Sequence, residues 1–326
     1  MQSDLVSIVL TLYNKAPYIE ETIFSIYKQT YTNRELIIVD DCSTDWSLEI
    51  AKSFCDKLWI THKCKFIQNE KNLWVAKTFE RGLKEAKWEW IAMCDWDDIL
   101  MKNKIEENLL FCKENNIDFC HSDLVSIDKN NNILSFSTME VFSINANKNA
   151  FYNLMYYGVV IGSSVFFNKL VGESLKKDGF FDKIYQDRWC VLYASFKWYR
   201  IKYIDKPLVY YRRCETCITR ESYDKKSKKN NEQSLKGWRR ILQEENERIN
   251  YITEKKIYTT PQQKDRLIKH YDINNLLIDF LKSDKIIIPW KIFSKILSKR
   301  EKIFYCRISI LQRYKLLSLF SKIFKI

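Results

Sequence analysis

No run of eighteen apolar residues occurs anywhere in the 326-residue chain, so a membrane-spanning helix is not expected. The opening Met-Gln-Ser-Asp lacks a basic stretch followed by an apolar one, which argues against a secretory signal and predicts a cytoplasmic protein. The 10 cysteines show no disulfide-like rhythm. Several, such as Cys94, Cys120 and Cys190, sit in apolar runs, as reduced buried thiols do. The CxxC of Cys214 and Cys217 has no second pair to complete a structural zinc site. His62, His121 and His270 are dispersed and read as structural or exposed. No internal repeat stands out. Glycine is the sharpest shortage: the chain has 6, where ordinary usage near 7% gives about 23.

What is present is ordinary globular material, 46% hydrophobic and 29% charged, which excludes wholesale disorder. The length allows one main domain and an appendage. We expect a main domain over 1–220 and a helical, basic, amphipathic extension over 221–326. The net charge of +13 is uneven: residues 284–326 hold eleven Lys/Arg against two acids, Asp284 and Glu301. In that tail Ile292, Phe293, Ile296, Leu297, Leu316, Leu317 and Phe320 recur at helical spacing between basic residues. Such helices suit an anionic membrane surface; a helical cap with solvated basic faces is the alternative. Nucleic acid is not an expected partner, because the charge is confined to this apolar-rich tail and no binding motif accompanies it.

Over the first hundred residues strands alternate with helices. Strands are expected at 5–10, 35–39, 65–68 and 90–94, with helices from Pro17 toward Gln29, from Ser43 or Asp45 to about Phe54, and over 75–87. This alternation predicts an α/β fold with a parallel, doubly wound sheet. A mixed-sheet half follows, with strands at 117–127, 133–136, 159–167, 199–204 and 208–211 and a helix at 186–196. Residues 128–132 form a turn, and Pro207 separates the last two strands. Helical patterns occupy 221–254 and continue after Pro261. The strand at 90–94 runs straight into Asp95, Trp96, Asp97 and Asp98. Clustered carboxylates are too costly to bury unpaired, so they must emerge at the strand's carboxyl end, where α/β sheets bind ligands. Oxygens spaced this way suit a hard divalent cation that also grips phosphates.

Four segments together resemble family 2 glycosyltransferases of the GT-A fold: Val6-Ser-Ile-Val-Leu-Thr-Leu-Tyr-Asn14, Glu35-Leu-Ile-Ile-Val-Asp-Asp-Cys-Ser-Thr-Asp45, the 95–98 acids, and Tyr185-Gln-Asp-Arg188. The resemblance covers about residues 5–220. It implies that Thr11 and Tyr13 contact the nucleotide base, that Asp41 binds uracil or ribose, and that Asp95 and Asp97 hold Mn²⁺ or Mg²⁺ against the donor diphosphate. It implies that Asp187 is the catalytic base, with Gln186 replacing the usual acidic neighbour and removing a like charge that could raise the base's pKa. The implied activity is transfer of a sugar, with inversion, from a nucleotide donor such as a UDP-sugar to a glycan or lipid-linked acceptor. Plainer readings stand beside these roles. Asp40 and Asp41 suit capping of their loop, the 95–98 acids suit a solvated turn, and Asp187 suits a helix N-cap. Phe79-Glu80 replaces a frequent Arg-Asn, which leaves a non-catalytic GT-A binding scaffold as the alternative, and Cys214 stands where many members have a histidine, which argues against a third protein ligand to the metal.

Tryptophan stands where that family usually has glycine at Trp46, Trp74, Trp88, Trp96 and Trp198. Trp88 follows an amphipathic helix at a spot that suits a left-handed cap. Either these are true tryptophans that crowd the donor site, or the gene carries UGA codons read as glycine.

Overall fold

The computed structural model describes residues 4–137, 160–180, 185–213 and part of 243–275. The CxxC of 214–217 and the tail 284–326 lie outside the described residues, as does most of the helical stretch expected over 221–254, of which 249–254 is helical. The chain divides into two compact units, Met1–Glu221 and Ser222–Ile326, and the site lies in the first.

The first half alternates as its periodicity requires: β1 (Val6–Leu12), α1 (Ile19–Tyr27), β2 (Arg34–Asp40), α2 (Ser47–Lys57), β3 (Cys64–Gln68), α3 (Val75–Glu85) and β4 (Trp90–Asp95). Every residue of β1 is buried. An unbroken Val/Ile/Leu run of this kind belongs to a strand covered on both faces, and each such side chain contributes about 1.5–3 kcal/mol of burial. β1 pairs in parallel with β2 and β4, and β2 with β3.

The second half adds β5 (Ile99–Leu100), α4 (Lys104–Glu114), β6 (Phe119–Ile127), β7 (Ile133–Ser135), β8 (Val165–Asn168), α5 (Lys169–Asp178), α6 (Gln186–Phe196) and β9 (Ile201–Arg212). The sheet runs β3-β2-β1-β4-β8-β6-β9-β5, with β7 on β6. β8 is antiparallel to both β4 and β6, so the sheet is mixed as expected.

Several boundaries differ from the sequence reading. The expected strand over 159–167 starts only at Val165, because Gly162–Ser164 forms a 3₁₀ turn. The two strands around Pro207 are one: β9 pairs with β6 throughout, and register shifts at Ser122–Leu124 absorb the proline. Bulges are where a strand tolerates a residue with no N–H. α3 stops at Glu85 and its cap residue Ala86 is extended (φ −76°, ψ 143°). The left-handed cap expected at Trp88 is therefore not there; Trp88 is buried, with Lys176 Nζ 4.8 Å from its ring centroid.

Candidate active site

Parallel register brings three strand ends to one edge of the sheet. Leu12 pairs with Asp40, and Thr11 pairs with Val39 on one side and Asp95 on the other. Beside this edge lies a cavity of about 540 Å³, whose lining includes Thr11, Tyr13, Lys15, Asp41, Trp74 and Trp96. Buried Thr11 Oγ1 has no hydrogen-bond partner within the described residues, which is unusual for a native hydroxyl and favours a ligand there.

The paired acids after β2 divide the work. Asp40 is fully buried and accepts from Ser43 N (3.1 Å) and Gln68 Nε2 (3.3 Å), so it is the loop cap. Asp41 faces the cavity, and its Oδ1 accepts from Asn69 Nδ2 and Leu73 N, both at 2.7 Å. Those two bonds fix the carboxylate at the cavity wall.

Asp95, Asp97 and Asp98 form a tight acidic turn. Burial, reinforced by the charges of Asp98, Asp187 and Asp97, pushes the Asp95 carboxyl well above the ordinary range. Burial also raises Asp97, against the pull of Lys15, and raises Asp98 to about 8 with help from Asp97. Lys15 Nζ lies 3.8 Å from Asp97 Oδ2. A solvated acidic turn would show no such displacement, since water screens its charges.

Ser163, Gln186 and Arg212 brace the turn. Ser163 Oγ accepts from Asp95 N (2.8 Å), and Gln186 Nε2 donates to Asp95 Oδ1 (2.9 Å). Arg212, fully buried, donates from Nε to Asp97 O (2.9 Å) and from its backbone N to Asp98 Oδ1 (3.1 Å). Its Nη atoms reach Asn131 Oδ1 and Glu21 Oε2, each at 2.6 Å.

Asp187 is the second residue of α6, with Tyr185 as the cap, so the N-cap reading does not hold. Its carboxyl is raised to about 6, chiefly by desolvation, although Arg188 and the backbone N–H groups of Arg188 and Gly162 favour the charged form. Absence of an acidic neighbour at 186 thus does not leave this carboxyl at an ordinary pKa, because burial dominates. Gly162 joins the two acidic sites: its N–H faces Asp187, and a Cβ there would overlap the Asp95 carboxylate.

The expected residues therefore meet in one region, Thr11, Tyr13 and Asp41 around the cavity and Asp95, Asp97 and Asp187 beside it. Sequence reasoning missed Lys15, Gly162 and Ser163, and gave Arg212 no task. Among the described residues no group of three or more His, Cys, Asp or Glu side chains is arranged to hold a metal alone. The donor set still fits Mn²⁺ or Mg²⁺, which are held by one or two carboxylates with substrate phosphates and water completing the shell. Carboxyls raised by burial and, at Asp95 and Asp98, also by a neighbouring carboxylate are relieved by a cation.

The description "Glycosyl transferase family 2" matches residues 7–171. An uncharacterized glycosyltransferase of Haemophilus influenzae is 32% identical over 138 residues, 42% of this chain and 54% of that protein. An Escherichia coli protein, the UDP-Glc:alpha-D-GlcNAc-diphosphoundecaprenol beta-1,3-glucosyltransferase WfgD, is 32% identical over 145 residues, 44% of this chain and 55% of that protein. The chain thus spans about half the length of these curated relatives. Among solved structures, S. aureus TarS 1–349 in complex with UDP-GlcNAc superposes with TM-score 0.54 at 20% identity, covering 83% of this chain and 72% of that one. That likeness shows a shared GT-A fold, and the match over residues 7–171 places the chain in glycosyl transferase family 2.

Proposed function

We propose that the chain is an inverting glycosyltransferase that moves a sugar from a UDP-sugar to a hydroxyl of a glycan or lipid-linked acceptor. The observation that carries the reading is the convergence of a ligand cavity, a repelling acid cluster and a desolvated carboxyl at one sheet edge. Thr11, Tyr13 and Asp41 bind the nucleoside. Asp95 and Asp97 hold Mn²⁺ or Mg²⁺, which when bound offsets charge developing on the leaving diphosphate. Lys15, at the cavity wall beside Asp97, adds a fixed positive charge to the same end.

Asp187 takes the proton from the acceptor hydroxyl as it attacks the anomeric carbon. One displacement inverts the configuration. Its raised pKa suits a base working near neutral pH. A lipid-linked acceptor is supported by the acceptor named for the E. coli relative and by the basic apolar tail over 284–326, which we assign to the inner face of an anionic membrane. Among the described residues no helix is long and apolar enough to cross one. Deleting the chain from Pro289 onward should release it from anionic liposomes, and unchanged binding would refute that placement.

The test of the whole is UDP release from candidate UDP-sugars, with and without Mn²⁺, for native chain and Asp97→Ala, with product anomers read by NMR. Donor binding without turnover on any acceptor would favour the binding-scaffold reading. Phe79 and Glu80 do not decide between the two. Phe79 packs edge-on against Phe180, and Glu80 pairs with Lys77 and Lys84 on its own helix, so both serve the fold.

A further inference from the structure

Nine described residues other than glycine have positive φ. Three are asparagines, which tolerate this region. Four are tryptophans: Trp46 (φ 66°), Trp59 (57°), Trp74 (73°) and Trp198 (60°). For a bulky side chain such a backbone is a genuine outlier. The glycines show the reverse. Gly179 alone among those described has positive φ, while Gly82, Gly162 and Gly172 sit where a Cβ would strike a neighbour.

Each of the four positions does backbone work that glycine does best. After α2, Trp59 N donates to Asp56 O (3.0 Å) and Ile60 N to Cys55 O (3.1 Å). After α6, Trp198 N donates to Ser195 O (3.3 Å) and Tyr199 N to Ala194 O (3.0 Å). Both are Schellman ends, whose left-handed residue is usually glycine. Trp46 opens α2 in the left-handed region, and Trp74 opens α3 at φ 73°, ψ 151°, a conformation essentially reserved for glycine.

Their side chains give little in return. Trp46, Trp59 and Trp198 are 73%, 87% and 67% exposed. Trp74 is half exposed and stacks on Tyr185 at 6.4 Å between ring centroids. The chain's other described tryptophans behave differently. Trp90 donates to Asp4 Oδ2 (2.9 Å) and Trp189 to Gly179 O (3.2 Å), both from buried rings. Trp88 is packed under Lys176, and neither it nor Trp96 has positive φ.

We infer that positions 46, 59, 74 and 198 are glycine in the functioning protein, encoded by UGA codons that its own cell reads as glycine. The structure thereby adds Trp59 to the positions suspected from sequence, removes the backbone argument from Trp88 and supplies none for Trp96. The consequence for the site is local. Without a ring at 74, the cavity wall between Asn72 and Val75 opens and the stack on Tyr185 disappears.

Two measurements test this. Mass-spectrometric sequencing of peptides from protein made in its own organism, read with the gene's codons, should give glycine and UGA at all four positions. Tryptophan or UGG at any of them overturns the assignment there. In recombinant full-length chain, each Trp→Gly variant should melt above the matching Trp→Ala variant, because alanine retains the Cβ that disfavours positive φ. At Leu110, exposed on α4, Leu110→Gly should melt below Leu110→Ala. Alanine ahead of glycine at the four positions would refute the backbone argument.

Discussion

Arg212 donates its Nε–H to the carbonyl oxygen of Asp97 at 2.9 Å, tying the last strand of the sheet to the turn that carries the acids. The guanidinium is otherwise saturated by Asn131, Glu21 and carbonyls of the turn after β6, and it lies 4.8 Å from the Tyr18 ring centroid. Residues 18–21, 128–131 and 212, distant in sequence, therefore meet beside the turn over 95–98.

Replacing Arg212 should loosen that turn. Arg212→Lys keeps the charge but not the fork, and UDP-sugar turnover and Mn²⁺ affinity should each fall roughly 10–100-fold, as for other residues that orient metal ligands. Calorimetric Mn²⁺ titration and steady-state kinetics check this, and native affinity in the variant would contradict the positioning role.

Asp187→Asn should lower kcat by about 10²–10⁴-fold, the usual contribution of a general base, while donor KM stays near native. In the native chain only the ionised carboxylate accepts a proton. With its pKa at about 6, log(kcat/KM) should rise with pH and level off above about 6. A flat profile from pH 4 to 7 would exclude Asp187 as the base.

The acid cluster predicts a pH-dependent response to cations. A carboxyl whose pKa is raised by folding stabilises the fold below its unfolded value, and the contribution is lost as pH climbs through the folded value. For Asp98 that window runs from its ordinary value near 4 to about 8. The cation-free protein should therefore lose melting temperature between pH 5 and pH 8. Mn²⁺ should restore it, by about 2.7 kcal/mol at 100 times Kd, and more at pH 8 because protons compete for the ligands. Asp97→Ala should abolish the Mn²⁺ response.

Gly162→Ala should damage both acidic sites together, since the new methyl overlaps the Asp95 carboxylate. Overpacking of this kind costs about 1–3 kcal/mol. Differential scanning calorimetry should show that loss alongside reduced turnover; a variant native in both would mean that the turn over 162–164 shifts freely.

The legibility of the chain follows from which signals are local. Buried parallel strands announce themselves as apolar runs, so β1, β2 and β4 were readable, with the acids that end β2 and β4, as was α6 to the residue. Gly162–Ser164 was read as strand because it sits in an apolar stretch, and only its place against Asp95 and Asp187 makes it a turn. Pro207 looked like a break because a bulge depends on the partner strand, here β6.

Composition and order of residues by themselves determined an α/β chain with acids at strand ends, too few glycines and tryptophans in suspect places. Tertiary structure alone decided that Asp40 caps a loop while Asp41 faces a cavity, and that Lys15 and Arg212 converge on the Asp97 turn. It also decided that four tryptophans occupy backbone conformations suited to glycine. The physical reason is one of range. Hydrophobic period and propensity act between neighbours along the chain, whereas desolvation, charge repulsion and the sign of φ at a cap are set by what packing brings alongside.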